Sequence, residues 1–416
     1  MSSTSLPYGA AAECHVRLAP DALVARCGVM LHAPLSDLAG AVAQAVLNPL
    51  DLPPLPQLTV AGDRIVLALE EGLPQVGAVV AGVMRTLLAA GVDPRNVTLV
   101  RTRTDERRDA GGAVRQLPPA VRNRLEQVVH DPRDRGSLSM LGVSRRDEPV
   151  YLNRRLCDAD LVLPIGVARP ETSLGYLGIH GVLFPTFTDQ RTLQRFRLAA
   201  SSLVPRRLEQ RRVEAEEAAW LLGTQLVIQL VPGQGEQVLE VVAGSAAAVA
   251  PQVRGSCEAA WQFHVPRRAG LVVAALPGGS SQQTWRNVAR AIAQALEVVE
   301  DHGALVLLSD LRVRPGPALR RVARASSRET AQRALLRDNA PDGLAAAQLL
   351  RARERVKVYL LSRLDEQLVE DLGLVYLSSA EEVSNLARQY ASCTLLANAP
   401  RIAVQLSPAA ASAAAP

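Results

Sequence analysis

Two strand–helix–strand patterns, one in each half of the chain, constrain the fold most strongly. The first runs from the apolar segment 64–69 (RIVLAL) through helical periodicity over 76–90, closed by Gly91, to a second apolar segment at 96–100. The second runs from 270–276 (GLVVAAL) through 283–302 to 304–309. Short runs that are apolar on both faces suit strands covered on both faces, and a helix between two such strands is the crossover of a parallel sheet. The fold class expected is therefore α/β, as two α/β domains with mainly parallel sheets and a cleft between them. The expected division is 1–255 and 256–405. Residues 406–416 form a tail ending PAAASAAAP, whose low complexity predicts disorder.

Around this frame the chain reads in order. Residues 1–60 give short strands and turns and then one helix over 38–47, with Asp37 as its cap and Asn48-Pro49 as its stop. A helix over 118–129 precedes His130-Asp131, read as a structural pair, and a strand follows at 149–153. Helices over 192–203 and 208–222 lead to a hairpin of 225–231 and 238–243 around Pro232-Gly233-Gln234-Gly235. Segments 356–361, 374–377 and 392–397, with a helix at 380–389, complete the second domain.

Composition narrows the class. With 48% hydrophobic and 21% charged residues over 416, the chain is long enough for two or three soluble cores. Only 3% are aromatic, so those cores rest on Leu, Val, Ala and Ile. No apolar run approaches the roughly 18 residues of a membrane span, and the opening MSSTSLPYGAAAE has no signal-peptide pattern. No membrane partner and a cytoplasmic location are expected. The five cysteines (14, 27, 157, 257 and 393) are scattered and form no C-x-x-C, which predicts reduced, mostly buried thiols. The net charge of +5 comes almost entirely from arginine, since Lys357 is the single lysine. The arginine clusters lack interleaved aromatics and any nucleic-acid motif, so they read as solvated helix faces and no nucleic-acid partner is expected.

One stretch concentrates glycine and proline where an α/β sheet carries its chemistry. Residues 156–185 begin as a buried strand over 160–165, break at Gly166, and continue irregularly with glycines at 175, 178 and 181 before Pro185. The order and spacing of Ala159-Asp160, Gly166, Pro170, Gly175-Tyr176, Gly178 and Pro185 resemble the central signature of the nickel-dependent lactate racemase family. The resemblance extends over about residues 8–405. It implies a lactate racemase-like fold and, for an active member, a nickel-pincer nucleotide tethered to a lysine, with histidines as metal ligand and as acid and base.

The positions that match those groups carry other residues. Gly181 stands at the tethering lysine, Asp105 and Glu171 at the two acid–base histidines, and Leu73 at a substrate arginine. The metal histidine falls near 195–197, where the chain reads Arg-Phe-Arg. The family acid is kept as Glu70, and Asn287 and Arg290 stand at a Gln-x-x-Lys pair. No tethered cofactor and no metal are expected on this ground, because a thioamide tether needs an amine. Glu70, Asp105, Glu171 and His180 are the candidate catalytic residues, and Arg169, Asn287 and Arg290 the candidate substrate cleft. Three readings stay open: a degenerate member that binds or regulates, with a small carboxylate as ligand; a divergent enzyme acting on a 2-hydroxy acid or sugar acid; and a racemase whose motifs are offset by a few residues. If the acids crowd together, their charge calls for a hard cation or for neutralising arginines.

Overall fold

The structure is a computed structural model that describes residues 2–30, 32–109, 111–197, 205–325, 327–336 and 340–407. Two six-stranded sheets organise it. The first has the strand order Val238–Gly244, Val227–Pro232, Leu161–Val167, Ile65–Leu69, Val97–Thr102, Glu126–His130, and only its Val227–Pro232/Val238–Gly244 pair is antiparallel. The second is parallel throughout, in the order Val375–Leu377, Lys357–Leu361, Val299–Leu308, Ala269–Ala275, Cys393–Leu396, Leu23–Cys27.

Burial explains why these segments are strands and helices. Ile65–Leu69 is buried at every residue, as a central parallel strand must be. The helix Val76–Ala89 turns Val79, Val80, Val83, Met84 and Leu87 onto Ile65, Leu67 and Leu99 at helical spacing. Each fully buried side chain of this kind contributes about 1.5–3 kcal/mol relative to exposure. Asp37 caps the helix Leu38–Leu47 by accepting from the Gly40 amide at 2.8 Å. All five thiols are free, four of them buried.

Several expectations change where tertiary pairing outweighs local pattern. Only Pro119–Arg122 of the expected helix 118–129 is helical; Glu126–His130 is an edge strand, because the open side of Val97–Thr102 offers it a ladder. The long helix stops at Val298, and its last expected residues begin the strand Val299–Leu308, since Val299 pairs with Ala269. The strand expected to break at Gly166 continues to Val167. His130, read as structural, is buried and held on both ring nitrogens: Nε2 lies 2.9 Å from the Thr188 carbonyl and Nδ1 is 3.2 Å from Asn153 Nδ2. Arg101 and Arg211 are buried as well, so not every arginine lies on a solvated face.

Residues 2–27, assigned by sequence to the first unit, run along the second sheet. Leu23–Cys27 is the edge strand beside Cys393–Leu396, and Leu6, Cys14, Val16 and Leu18 pack with Leu271, Val273 and Val306. Ser2–Tyr8 and Ala12–Leu18 pair as an antiparallel hairpin, which cannot bury its own apolar face and covers the second sheet. The helix expected over 192–203 is Gln190–Arg197; its remainder lies outside the described residues, as do residues 408–416 of the tail. Leu406, placed in that tail by sequence, ends a strand paired with Gln262–Val265. Among the described residues no helix is long and apolar enough to cross a membrane.

Candidate functional site

Each sheet has a point where its strand order reverses. In the first, the chain builds outward from Ile65–Leu69 to one side and from Leu161–Val167 to the other, so the crevice lies beyond the carboxyl ends of these two strands. In the second, the chain builds outward from Ala269–Ala275 to one side and returns with Cys393–Leu396 on the other, so the crevice lies beyond these two strands. Glu70 follows the first of these four strands, Arg169 the second, Pro277 the third, and Asn398 and Arg401 the fourth. The loops from both sheets meet: a cavity of about 40 Å3 is lined by Arg169, Pro170, Pro277, Asn287, Arg290, Asn398 and Arg401 among others. Gln282 Nε2 donates to the Gly72 carbonyl at 3.3 Å and ties the two sets of loops together.

Glu70 and Arg169 form the base of this site. Arg169 Nη1 lies 2.6 Å from Glu70 Oε1 and also donates to the Val167 carbonyl, while the Val167 amide donates to Glu70 Oε2 at 2.7 Å. The glycine at 166 is what lets the carboxylate sit there. A Cβ at that position would stand 2.6 Å from Val182 Cγ2, 2.7 Å from Gln229 Nε2 and 3.1 Å from Glu70 Oε2. Gly166 is thus a close-approach glycine inside a strand, not a breaker.

Arg290 and Arg401 are differently placed. Arg290, on the helix Trp285–Val298, donates from Nε to the Leu174 carbonyl at 3.2 Å and from Nη1 to Asn287 Oδ1 at 3.1 Å. Asn287 is held in turn by donating to the Gln282 carbonyl at 2.8 Å. Arg401 donates to the Gly235 carbonyl. All these acceptors are neutral. Burial, with Arg169 and Arg286 nearby, holds the Arg290 pKa well below the usual guanidinium range. Burial also brings that of Arg401 down to about 10, against the opposing pull of Glu236. Asn398 sits at φ +53°, in the left-handed region that asparagine tolerates better than most residues. Its Nδ2 donates to the Gly28 carbonyl at 2.9 Å, which leaves Oδ1 as a buried acceptor without a hydrogen-bond partner.

A wider cleft of about 430 Å3 shares Gly72 with this cavity and is lined by Glu70, Arg101, Asp105, Arg108, Glu236 and Ser281 among others. Asp105, at the start of the short helix Arg103–Arg108, accepts from the Gly72 amide at 3.1 Å. Burial pushes its pKa up to about 7, and the Glu71 carboxylate adds to that push. Glu71 itself stays in the charged form: burial opposes this, but Arg286 and Arg108, at 3.3 and 3.1 Å, outweigh it and hold its pKa low.

The structure therefore brings together Glu70, Asp105, Arg169, Asn287 and Arg290 of the residues singled out by sequence. Two others lie elsewhere. Glu171 is not among the walls of either cavity; its side chain is 54% exposed and pairs with Arg254 at 3.1 Å, while its carbonyl accepts from Arg212. His180 packs in the turn Ile179–Val182 against the helix Pro205–Leu221, with Nδ1 buried and unpartnered. Burial lowers its pKa, and the charge that opposes this is Glu216 on that helix, not a cleft acid. The crowd of three acids does not form, and Arg169 neutralises Glu70. Among the described residues no three His, Cys, Asp or Glu side chains gather as a metal site. Sequence reasoning missed Arg401, Asn398, Glu71, Arg108 and Arg286. Arg401 and Asn398 carried one available signal: they follow directly on the apolar strand segment 392–397.

Comparisons with known proteins agree with this architecture. Residues 8–202 match the family model of the lactate racemase N-terminal domain. Among solved structures, the lactate racemase apoprotein of Thermoanaerobacterium thermosaccharolyticum superposes with a TM-score of 0.76 at 14% identity, covering 97% of this chain and 100% of that one. A protein from Thermotoga maritima gives 0.66 at 14% identity, covering 91% and 100%. No curated protein sequence matches the chain. At such identities the superpositions speak for the fold alone.

Proposed function

We propose, from the match of residues 8–202 to the lactate racemase N-terminal domain, that this lactate racemase-like chain binds a small carboxylate and does not racemise it through the family's tethered cofactor. The observation that carries the binding reading is the pair Arg290 and Arg401. Both line one cavity, and among the described residues both bond to neutral acceptors alone. A partly buried guanidinium without a carboxylate carries a desolvation cost, and a bound anion offsets it.

The residues around position 181 do not fit a lysine-tethered group. Gly181 lies within the turn Ile179–Val182, and even a Cβ there would come within 3.2 Å of Leu177 Cβ. The one amine-bearing side chain, Lys357, lies over the Tyr359 ring at the start of a strand in the second sheet. The test is isothermal calorimetry with glycolate, lactate and gluconate on the wild type and Arg290→Gln. Binding that falls at least about tenfold in the variant supports the reading. Absence of binding by any of these acids, and by other small anions, refutes it.

A second reading, a divergent enzyme on a 2-hydroxy acid or sugar acid, is favoured by Asp105. A carboxyl with a pKa of about 7 can take and give a proton at neutral pH, and this one lines the wider cleft with Glu70. Exchange of the α-proton of such acids in heavy water, followed by NMR, separates the two readings. Exchange that disappears in Asp105→Asn establishes the enzyme, and no exchange leaves the binding protein.

A further inference from the structure

We propose that the inner cavity is built for a small dianion, a phosphoryl group or a short dicarboxylate, rather than for a monocarboxylate. The inference rests on the anion-binding reading above and specifies the charge of the ligand. Three guanidinium groups, those of Arg169, Arg290 and Arg401, line the cavity, and none of its walls is an aspartate or glutamate. Glu70, reaching in from the neighbouring cleft, neutralises Arg169 at 2.6 Å. Two guanidinium groups are left in one enclosure without an ion-pair contact among the described residues, Glu236 acting on Arg401 only from beyond contact, and a monocarboxylate would leave one of them unpaired. An unmatched charge held partly away from water is the costly case, so the second negative charge raises affinity.

The rest of the wall directs recognition to these same side chains. Pro74, Pro170, Pro232, Pro277 and Pro400 line the cavity and have no amide to offer. The amides of Gly72, Val167 and Ala168 already donate to Asp105, Glu70 and Leu230. Arg290 and Arg401 approach from different elements, the helix Trp285–Val298 and the loop after Cys393–Leu396, so both can reach one ligand. A cavity of about 40 Å3 has room for about three waters, the size of one carboxylate or phosphoryl group. A longer ligand continues past Gly72 into the wider cleft.

The experiment is calorimetry at constant ionic strength and about pH 8, where phosphate is mainly dianionic. The probes are inorganic phosphate, malonate and succinate, with acetate and lactate as monoanions, on the wild type, Arg401→Gln and Arg401→Lys. At least one dianion is expected to bind about tenfold or more tightly than either monoanion. Phosphate ahead of both dicarboxylates identifies a phosphoryl site, and the reverse a dicarboxylate site. Arg401→Gln is expected to remove the preference while acetate still binds through Arg290, and Arg401→Lys to restore much of it, which excludes a folding defect at this position. Monoanions that bind as well as every dianion, or a preference unchanged in Arg401→Gln, overturn the inference and leave anion binding standing. Silence of all five probes on folded protein overturns both.

Discussion

Replacing Glu70 with glutamine should make the protein less stable and its anion binding tighter, two effects of opposite sign from one change. Glu70 accepts from the Val167 amide at 2.7 Å and pairs with Arg169 at 2.6 Å, and the two side chains are 19% and 13% exposed. Leaving one member of a buried pair alone costs about 3–5 kcal/mol. Here the glutamine oxygen still takes the Val167 amide and the pair keeps some contact with solvent, so about 2–3 kcal/mol is expected. The freed Arg169 adds a third unmatched positive charge to the cavity. Phosphate or malonate affinity should then rise about threefold to tenfold, weakening as salt is added. Urea unfolding followed by circular dichroism gives the first quantity and calorimetry the second. Stability within about 0.5 kcal/mol of wild type, together with unchanged or weaker anion binding, would refute the view that Glu70 is the charge that silences Arg169.

Asp105 gives the protein a stability that depends on pH. Its folded pKa of about 7 lies above the value of an unfolded aspartate, so the folded state holds the proton more tightly. Its stabilising contribution is fully present below about pH 4 and is lost as pH rises through about 7. Asp105→Asn keeps an acceptor for the Gly72 amide and should stabilise the protein by about 2–4 kcal/mol at pH 8, by about a third of that at pH 5 and little below about pH 4, read by urea unfolding across this range. Gly166→Ala forces a methyl group to within 2.6–3.1 Å of Val182, Gln229 and Glu70 in a central strand. It should cost about 1–3 kcal/mol and weaken anion binding by displacing Glu70 and Arg169; a neutral result would show that the strand yields without cost.

The sequence by itself determined most of the architecture. Strands buried on both faces, such as Ile65–Leu69 and Ala269–Ala275, are apolar at every position, and the helix Val76–Ala89 repeats its apolar residues at helical spacing. These are local patterns with one burial solution, so they can be read without partners. The glycine and proline spacing of 159–185 pointed to the family, and the Asp37 cap needed only its own helix. The structure decided what depends on distant partners. Whether 126–130 is helix or strand was settled by the open edge of Val97–Thr102, and the hairpin of Ser2–Tyr8 and Ala12–Leu18 packed onto the second sheet because that sheet had an apolar face to cover. The site followed the same rule. Matching by position placed Glu171 and His180 among the reactive groups, but position along a loop does not fix which way a side chain turns, and both turn to helices outside the cleft. Arg401 is separated from Arg169 by more than 200 residues, and only the facing of two strand-order reversals brings both guanidinium groups to one cavity.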